Sequence, residues 1–508
     1  MKHRVFGLLL CAAVMLSLSI PADITANPNA AAGQSALPSA PSAPLETALP
    51  SPSDTALPQA SADSRPQALA EPSITAEGAM LIEQSTGKIL YSKNPHEKMY
   101  PASMTKLMTC MVALDYLSPT DTVVVGPEIN TIPGDGSKAG NFVGETLTVE
   151  NMIRALLMPS GDETAAVAAM AVAKKVKNTD TMSYDDAQTI FAGLMNQKAA
   201  DLKCTETHFV NPHGLHDDNH YTTPFDMAII SRAVMNTPKY SLIRQISAET
   251  EWSGNGDDQT TGSNKKIKTK KYDWQTRNLL LVKGGQYYYQ YATGLKTGFT
   301  DQAGSCLTAS ATKDGVSLIS VVMKDTDTGR WADSRALLDY GFGSFSFQTI
   351  QEAGATVGSV GVSNNVKGSD STLDLVGVDK ITDFAANDIL KTLQTQIVYD
   401  PKYLVTDEKT GARTLKAPIK KDDVVGKITY SKNGAQLYES DVAAARDVAE
   451  RTFNTDMTYN VQQAKQAAFS PIGFIIAAVV IIIAIIIIII VLRGRRKRDR
   501  YGFGGRRY

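Results

Sequence analysis

The chain has 508 residues, a formal net charge of −1, 43% hydrophobic and 20% charged residues. That length predicts two or three domains, and the balanced charge gives no bulk electrostatic argument for nucleic acid as a partner. Apolar content is ordinary for a globular protein but unevenly placed. At the N-terminus Lys2, His3 and Arg4 precede an apolar run from Val5 to Ile20, with small residues at Ala26 and Ala30. This predicts a secretory signal peptide over 1–26, because the run is shorter than the ~20 residues a membrane span needs. Residues 27–72 are rich in Ala, Pro and Ser. They hold too few large apolar side chains to offset chain entropy, so a disordered linker is expected.

Next in order, AMLIEQSTGKILY at 79–91 flanks Gln84-Ser85-Thr86-Gly87 with two apolar runs, a hairpin signal. Pro101-Ala102-Ser103-Met104-Thr105-Lys106 then opens a helix, with apolar residues at Leu107, Met108, Met111, Val112 and Leu114 on one stripe. Ser103 and Lys106 are three apart, so both side chains share a helix face. A serine hydroxyl is a poor nucleophile until a base takes its proton, and a desolvated lysine near a second cation can be that base. Leu147-Thr148-Val149-Glu150 opens a helix through Leu157, and Thr164 to Val176 is helical. Ser160-Gly161-Asp162 is therefore placed in a short loop between helices. Glu163 follows directly.

His208 to Asp226 contains His213, His216 and His220, a set that brings zinc to mind. Asn211-Pro212, Gly214 and Pro224 interrupt it, so a loop is expected and no metal site. Thr223 caps a helix with Pro224 at its first position. Residues 251–272 form a polar insertion with Lys265, Lys266, Lys268, Lys270 and Lys271, expected as a solvated loop. Lys296-Thr297-Gly298-Phe299-Thr300 precedes a hairpin, Ser305–Ala311 and Val316–Met323, which places Lys296 at the edge of an antiparallel sheet. From Ser346 to Asp441 short strand-like runs alternate with polar turns, a small all-β domain. Val442 to Ala468 reads as a helical stalk.

Ile472 to Leu492 is an unbroken apolar run. A helix of that length crosses a ~30 Å hydrocarbon core. Arg493, Arg495, Arg496, Lys497, Arg498 and Arg500 follow, which predicts a cytoplasmic C-terminus and an extracytoplasmic remainder. After signal removal Cys110, Cys204 and Cys306 remain, an odd number that rules out a fully paired framework. A single disulfide stays open; Cys110 and Cys306 are expected in the core.

YPASMTKLMT, LMPSGDETAAVAAM, FVNPHGLHDDNHYTTPFDMA, GLKTGFTDQAGSCL and APIKKDDVVGKITYSKNG together make the chain resemble the serine-type D-alanyl-D-alanine carboxypeptidases, the low-molecular-weight penicillin-binding proteins. The resemblance covers roughly 73–450 and rests on S-x-x-K, S-x-N and K-T-G motifs in the family's order. It implies an α/β transpeptidase/β-lactamase-like domain, an antiparallel sheet with a helical cluster, then a small all-β domain. The expected organisation is signal peptide 1–26, linker 27–72, catalytic domain 73–345, β-rich domain 346–441, helical stalk 442–470, transmembrane helix 471–492 and basic cytoplasmic tail 493–508.

By the same resemblance Ser103 is the acylated nucleophile, Lys106 its base and Ser160 a proton relay. Lys296 and Thr297 would hold the substrate carboxylate within Lys296-Thr297-Gly298, and Lys296 would depress the pKa of Lys106. Backbone N–H groups of Ser103 and Phe299 would form the oxyanion hole. The implied partners are peptidoglycan stem peptides, β-lactams as inhibitors and the cytoplasmic membrane, with no nucleic acid and no cofactor. One departure is Asp162 where the family has Asn: a carboxylate donates no hydrogen bond unless protonated, and near Lys106 it favours the charged lysine. The other is the full membrane span, where relatives often end in an amphipathic helix. The alternatives are a serine β-lactamase, for which Glu163 is a deacylating candidate by proximity only, and a wall-binding scaffold with an impaired site.

Overall fold

The computed structural model describes residues 69–258 and 269–499. The expected signal peptide, residues 27–68 of the linker, Lys265, Lys266 and Lys268, and residues 500–508 of the basic tail lie outside the described residues.

The first hairpin is β1 (Gly78–Glu83) and β2 (Ile89–Lys93). A 3-10 turn at Ala102–Thr105 runs into α1 (Lys106–Tyr116). Then come β3 (Thr122–Val124), a long loop, β4 (Glu145–Thr148), α2 (Val149–Leu157) and α3 (Asp162–Lys177). The helical cluster is completed by α4 (Tyr184–Asp201), α5 (Pro224–Asn236) and α6 (Ser241–Ser247). Helix starts follow their caps: Thr148 accepts from Asn151 N and Thr223 from Asp226 N, each satisfying an otherwise orphan donor. Strands β5 (Glu251–Asp258), β6 (Thr269–Gln275), β7 (Ala292–Thr300), β8 (Gly304–Lys313) and β9 (Val316–Asp325) precede α7 (Gly329–Ser344).

Among the described residues, the main sheet has the order β2-β1-β9-β8-β7 and is antiparallel throughout. Its inner strands β1, β9 and β8 are buried on both faces along most of their length. Side chains alternate between the faces. Met80, Ile82, Ile319, Val321 and Met323 join the core under α1, α2, α3 and α5. Leu81, Leu318 and Val322 pack with Trp331, Leu337 and Leu338 of α7 on the other side. Replacing Leu81 or Val322 by alanine removes apolar contact from a closed interior, a loss of about 2–5 kcal/mol for the leucine. β7 lies at the sheet edge, the position expected for Lys296.

Three expectations need correction. Residues 251–258 and 269–275 are not a solvated loop but the paired strands β5 and β6, in a sheet of order β3-β4-β5-β6. Trp252 and Trp274 stack with ring centroids 4.8 Å apart, and Tyr272 lies beside Trp274. These aromatic rings on one face outweigh the charges on the other. Leu69, assigned to the linker, is already tied down: its N–H donates to Ser344 Oγ at 2.9 Å. The stretch 442–452 is not helical, because strand pairing continues to Ala444.

The C-terminal region builds β10 (Phe345–Gln351), β11 (Thr356–Ser363), β12 (Thr372–Gly377), β13 (Ile381–Ala386), a one-turn α8 (Ile389–Thr392) and β14 (Gln394–Tyr399). It continues with β15 (Leu404–Thr406), β16 (Arg413–Lys416), β17 (Val424–Lys432) and β18 (Ala435–Ala444). Its core includes Val360, Leu373, Leu375, Ile428 and Val442. Lys88 pairs with Asp383, which also accepts from Tyr438 OH at 2.7 Å, so the first hairpin is fastened to this region. α9 (Phe453–Ala468) starts at a capping box on Thr452, and α10 (Pro471–Asp499) follows. Pro471–Arg493 contains an 18-residue stretch with a mean hydropathy of 4.0 and is long and apolar enough to cross a membrane.

Candidate active site

Ser103 sits in the 3-10 turn, partly exposed, directly after Ala102 at φ 46. A left-handed conformation at a residue with a Cβ costs on the order of 1–3 kcal/mol and persists only where surroundings enforce it. Two glycines do the enforcing. A Cβ on Gly214 would stand 1.9 Å from Ala102 O, and one on Gly298 would stand 2.7 Å from Pro101 O and 3.3 Å from Ser103 N. The turn is thus clasped between the histidine loop and β7.

Lys106 is the first residue of α1 and is wholly buried. Its Nζ lies 2.8 Å from Ser103 Oγ, 2.6 Å from Asp162 Oδ1 and 2.7 Å from His213 O. α2 ends at Leu157, and Ser160 turns the chain at φ 65. Asp162 is the first residue of α3 rather than a loop residue. Its Oδ2 accepts the Ser137 N–H at 2.8 Å.

Lys296 reaches in from β7, with Nζ 3.0 Å from Ser160 Oγ and 3.1 Å from Thr297 O. Burial, then the nearby Lys106 charge and Arg277, hold the Lys296 ammonium well below the usual lysine range, against the pull of Asp162. Thr297 is buried, whereas the Phe299 side chain is 59% exposed. The structure so joins Ser103, Lys106 and Asp162 in one hydrogen-bonded group and Lys296 and Ser160 in a second, near enough for the two lysines to repel, with Gly298 against the nucleophile turn. Glu163 is turned elsewhere: its Oε1 accepts the Gly140 N–H at 2.7 Å.

The histidine loop has a different task from the one its side chains suggest. His220 accepts the Val210 N–H at Nδ1, 3.1 Å away, which leaves Nε2–H to donate to Thr105 Oγ1 at 2.8 Å. His213 accepts the Leu215 N–H at 3.1 Å. Burial pushes both rings down to about 3. His216 packs edge-on to Tyr100 at 4.7 Å. The loop carries the His213 carbonyl to Lys106, a role that no side-chain motif announces. Sequence reasoning also missed Ser137, Arg277, whose Nη1 donates to Ser137 Oγ at 2.8 Å, and Arg330, whose Nη1 donates to Gly298 O at 3.3 Å. A stray arginine has no local signal that could have singled it out. Cys110, Cys204 and Cys306 are all free and buried, and Cys110 and Cys306 lie in the core as expected.

Comparison with known proteins gives two family matches. Residues 65–327 match the family described as D-alanyl-D-alanine carboxypeptidase, and residues 345–450 match penicillin-binding protein 5, C-terminal domain. D-alanyl-D-alanine carboxypeptidase DacF of Bacillus subtilis (strain 168) is 30% identical over 385 residues, covering 75% of this chain and 87% of the relative. D-alanyl-D-alanine carboxypeptidase DacA of Escherichia coli (strain K12) is 30% identical over 396 residues, covering 75% of this chain and 86% of the relative. Among solved structures, penicillin-binding protein 5 from Haemophilus influenzae is similar with a TM-score of 0.50 at 26% identity, covering 75% of this chain and 100% of that one.

Proposed function

We propose, from the premise that the chain belongs to the D-alanyl-D-alanine carboxypeptidase family, that it removes the terminal D-alanine from peptidoglycan stem peptides through an acyl-enzyme on Ser103. The observation that carries this reading is the 2.8 Å contact between the buried Lys106 Nζ and Ser103 Oγ.

As the free amine, Lys106 takes the Ser103 hydroxyl proton while Oγ attacks the carbonyl carbon of the penultimate D-alanine. The peptide C–N bond breaks, and Ser160, held by Lys296, passes a proton to the leaving amine. Lys296 and Thr297 bind the terminal carboxylate. Backbone N–H groups of Ser103 and Phe299 face the developing oxyanion, and losing one such donor costs on the order of 100-fold or more in rate. Water then attacks the ester and frees Ser103. β-Lactams acylate the same serine. Catalysis is assigned to 73–345, with 471–492 as the anchor. The basic residues after the anchor set the C-terminus in the cytoplasm and the active site outside the cytoplasmic membrane, facing the wall.

The test uses the full chain in detergent micelles, given a fluorescent penicillin and, separately, a peptide ending in D-Ala-D-Ala, alongside Ser103→Ala. Stable labelling and D-alanine release, both lost in the variant, are expected. Rapid penicillin turnover without D-alanine release would replace this reading with a β-lactamase, and neither signal would leave only a scaffold.

A further inference from the structure

We propose that Asp162 is a positioning residue that couples the loop 133–142 to Lys106, and that a carboxylate stands there because two hydrogen-bond donors converge on it. Oδ1 receives the Lys106 Nζ–H at 2.6 Å and Oδ2 the Ser137 backbone N–H at 2.8 Å. The Asp162 N–H returns a bond to Ser137 O at 2.8 Å, so the two residues are doubly joined. The carboxylate is 3% exposed. From the other side the β5–β6 hairpin and the segment after it hold the same loop. Arg277 Nη1 donates to Ser137 Oγ at 2.8 Å, Trp274 Nε1 to Ala139 O at 3.0 Å, and Lys270 reaches Gly140 O. A chain of bonds therefore runs from the hairpin through the loop and Asp162 to the lysine.

An amide does not fit this pair of donors. It offers one accepting oxygen and one donating NH₂ group. With its oxygen on Lys106, its NH₂ faces the Ser137 N–H, donor against donor. Turned round, its NH₂ meets Lys106 Nζ and engages the lone pair that must accept the Ser103 proton. A carboxylate accepts on both oxygens. The free amine then spends its two N–H bonds on Asp162 and on His213 O, 2.7 Å away, and its lone pair is left to Ser103 Oγ. This inference rests on the reading of Lys106 as the base and deepens it.

The experiment compares the full chain with Asp162→Asn and Ser137→Pro in detergent micelles. Three quantities are measured: hydrogen exchange in the segment 133–142, thermal melting, and acylation by a fluorescent penicillin over a concentration series that separates binding from the acylation step. In Asp162→Asn, exchange in the segment should rise and the limiting acylation constant should fall, each by about tenfold or more, the size expected for a lost hydrogen bond to a charged group. The half-saturating penicillin concentration should stay nearly constant and melting should remain cooperative. Ser137→Pro removes the same N–H while leaving the charge at residue 162, and should lower the acylation constant alike. Unchanged exchange, or an Asp162→Asn protein that acylates as fast as or faster than the parent, overturns the proposal. The exchange arm needs no turnover, so a parent chain that binds no penicillin defeats the functional reading while the coupling is still judged on exchange.

Discussion

At Gly298 the reason for a motif residue is steric. A Cβ there would meet Pro101 O at 2.7 Å, Ala102 Cβ at 3.2 Å and Ser103 N at 3.3 Å, so any side chain drives β7 away from the nucleophile turn. Gly298→Ala is expected to leave the circular dichroism spectrum unchanged and to lower penicillin acylation by about 100-fold, the cost of a misplaced oxyanion donor. A variant that acylates normally would show that β7 tolerates the shift and that the oxyanion reading of Phe299 N is wrong. The residue types of this site were legible in the sequence: S-x-x-K places two side chains on one turn whatever lies around it. Their protonation was not, because it depends on who else is buried there. Asp162, Lys296 and the His213 carbonyl all reach Lys106's neighbourhood from distant parts of the chain.

The histidine loop and the β5–β6 hairpin are the elements that sequence reading judged by composition, with opposite results. The loop was expected to be irregular, as it is, and its two buried rings, His220 and His213, are committed to Val210, Thr105 and Leu215. That commitment has a consequence for acid stability. His213 and His220 are held down to about 3 by burial, against 6.5 in an open chain. Between those values the unfolded chain binds protons that the folded chain refuses, so stability is lost as pH falls from 6.5 toward 3. The slope is on the order of 1.4 kcal/mol per pH unit for each histidine. Melting temperatures taken from pH 7 downward should fall across this window, and less steeply in His220→Gln, although that variant starts from a lower stability. Equal slopes would remove His220 as a contributor. The hairpin was misjudged because its lysines and aspartates dominate the count. Strand formation follows the alternation of Trp252, Tyr272 and Trp274 with those charges, a pattern interrupted in sequence by the ten residues 259–268.

Across the whole molecule the buried core of the described residues ends at Val448, ahead of α9 and the apolar helix. β18 ends at Ala444, and α9 is largely exposed, with Phe453 79% exposed and Tyr459 half-buried beside Gly368 and Lys367. A chain stopped after Arg451 loses α9 and α10 but no buried core residue. It is expected to remain in the supernatant when membranes are sedimented and still to be labelled by penicillin at Ser103. Aggregation or loss of labelling would mean that α9 supports the fold. The apolar segment Pro471–Arg493, long and apolar enough to cross a membrane, is itself unburied.

Local chemistry alone was enough to propose Ser103, Lys106 and Lys296 as the acting residues, to put Lys296 at a sheet edge, to mark an apolar segment long enough to cross a membrane and to find the start of α5 at its Thr223 cap. Caps, periodicity and short motifs act over a few residues and need no partner. The tertiary structure decided how Lys296 meets Ser160, why Ala102 and Ser160 hold left-handed backbones, and which acceptors surround Lys106. Those outcomes arise where segments separated by tens to hundreds of residues pack together and exclude water. Charge, hydrogen-bond direction and backbone strain at such a point are set by all the contributors at once, and no single stretch of the chain contains them.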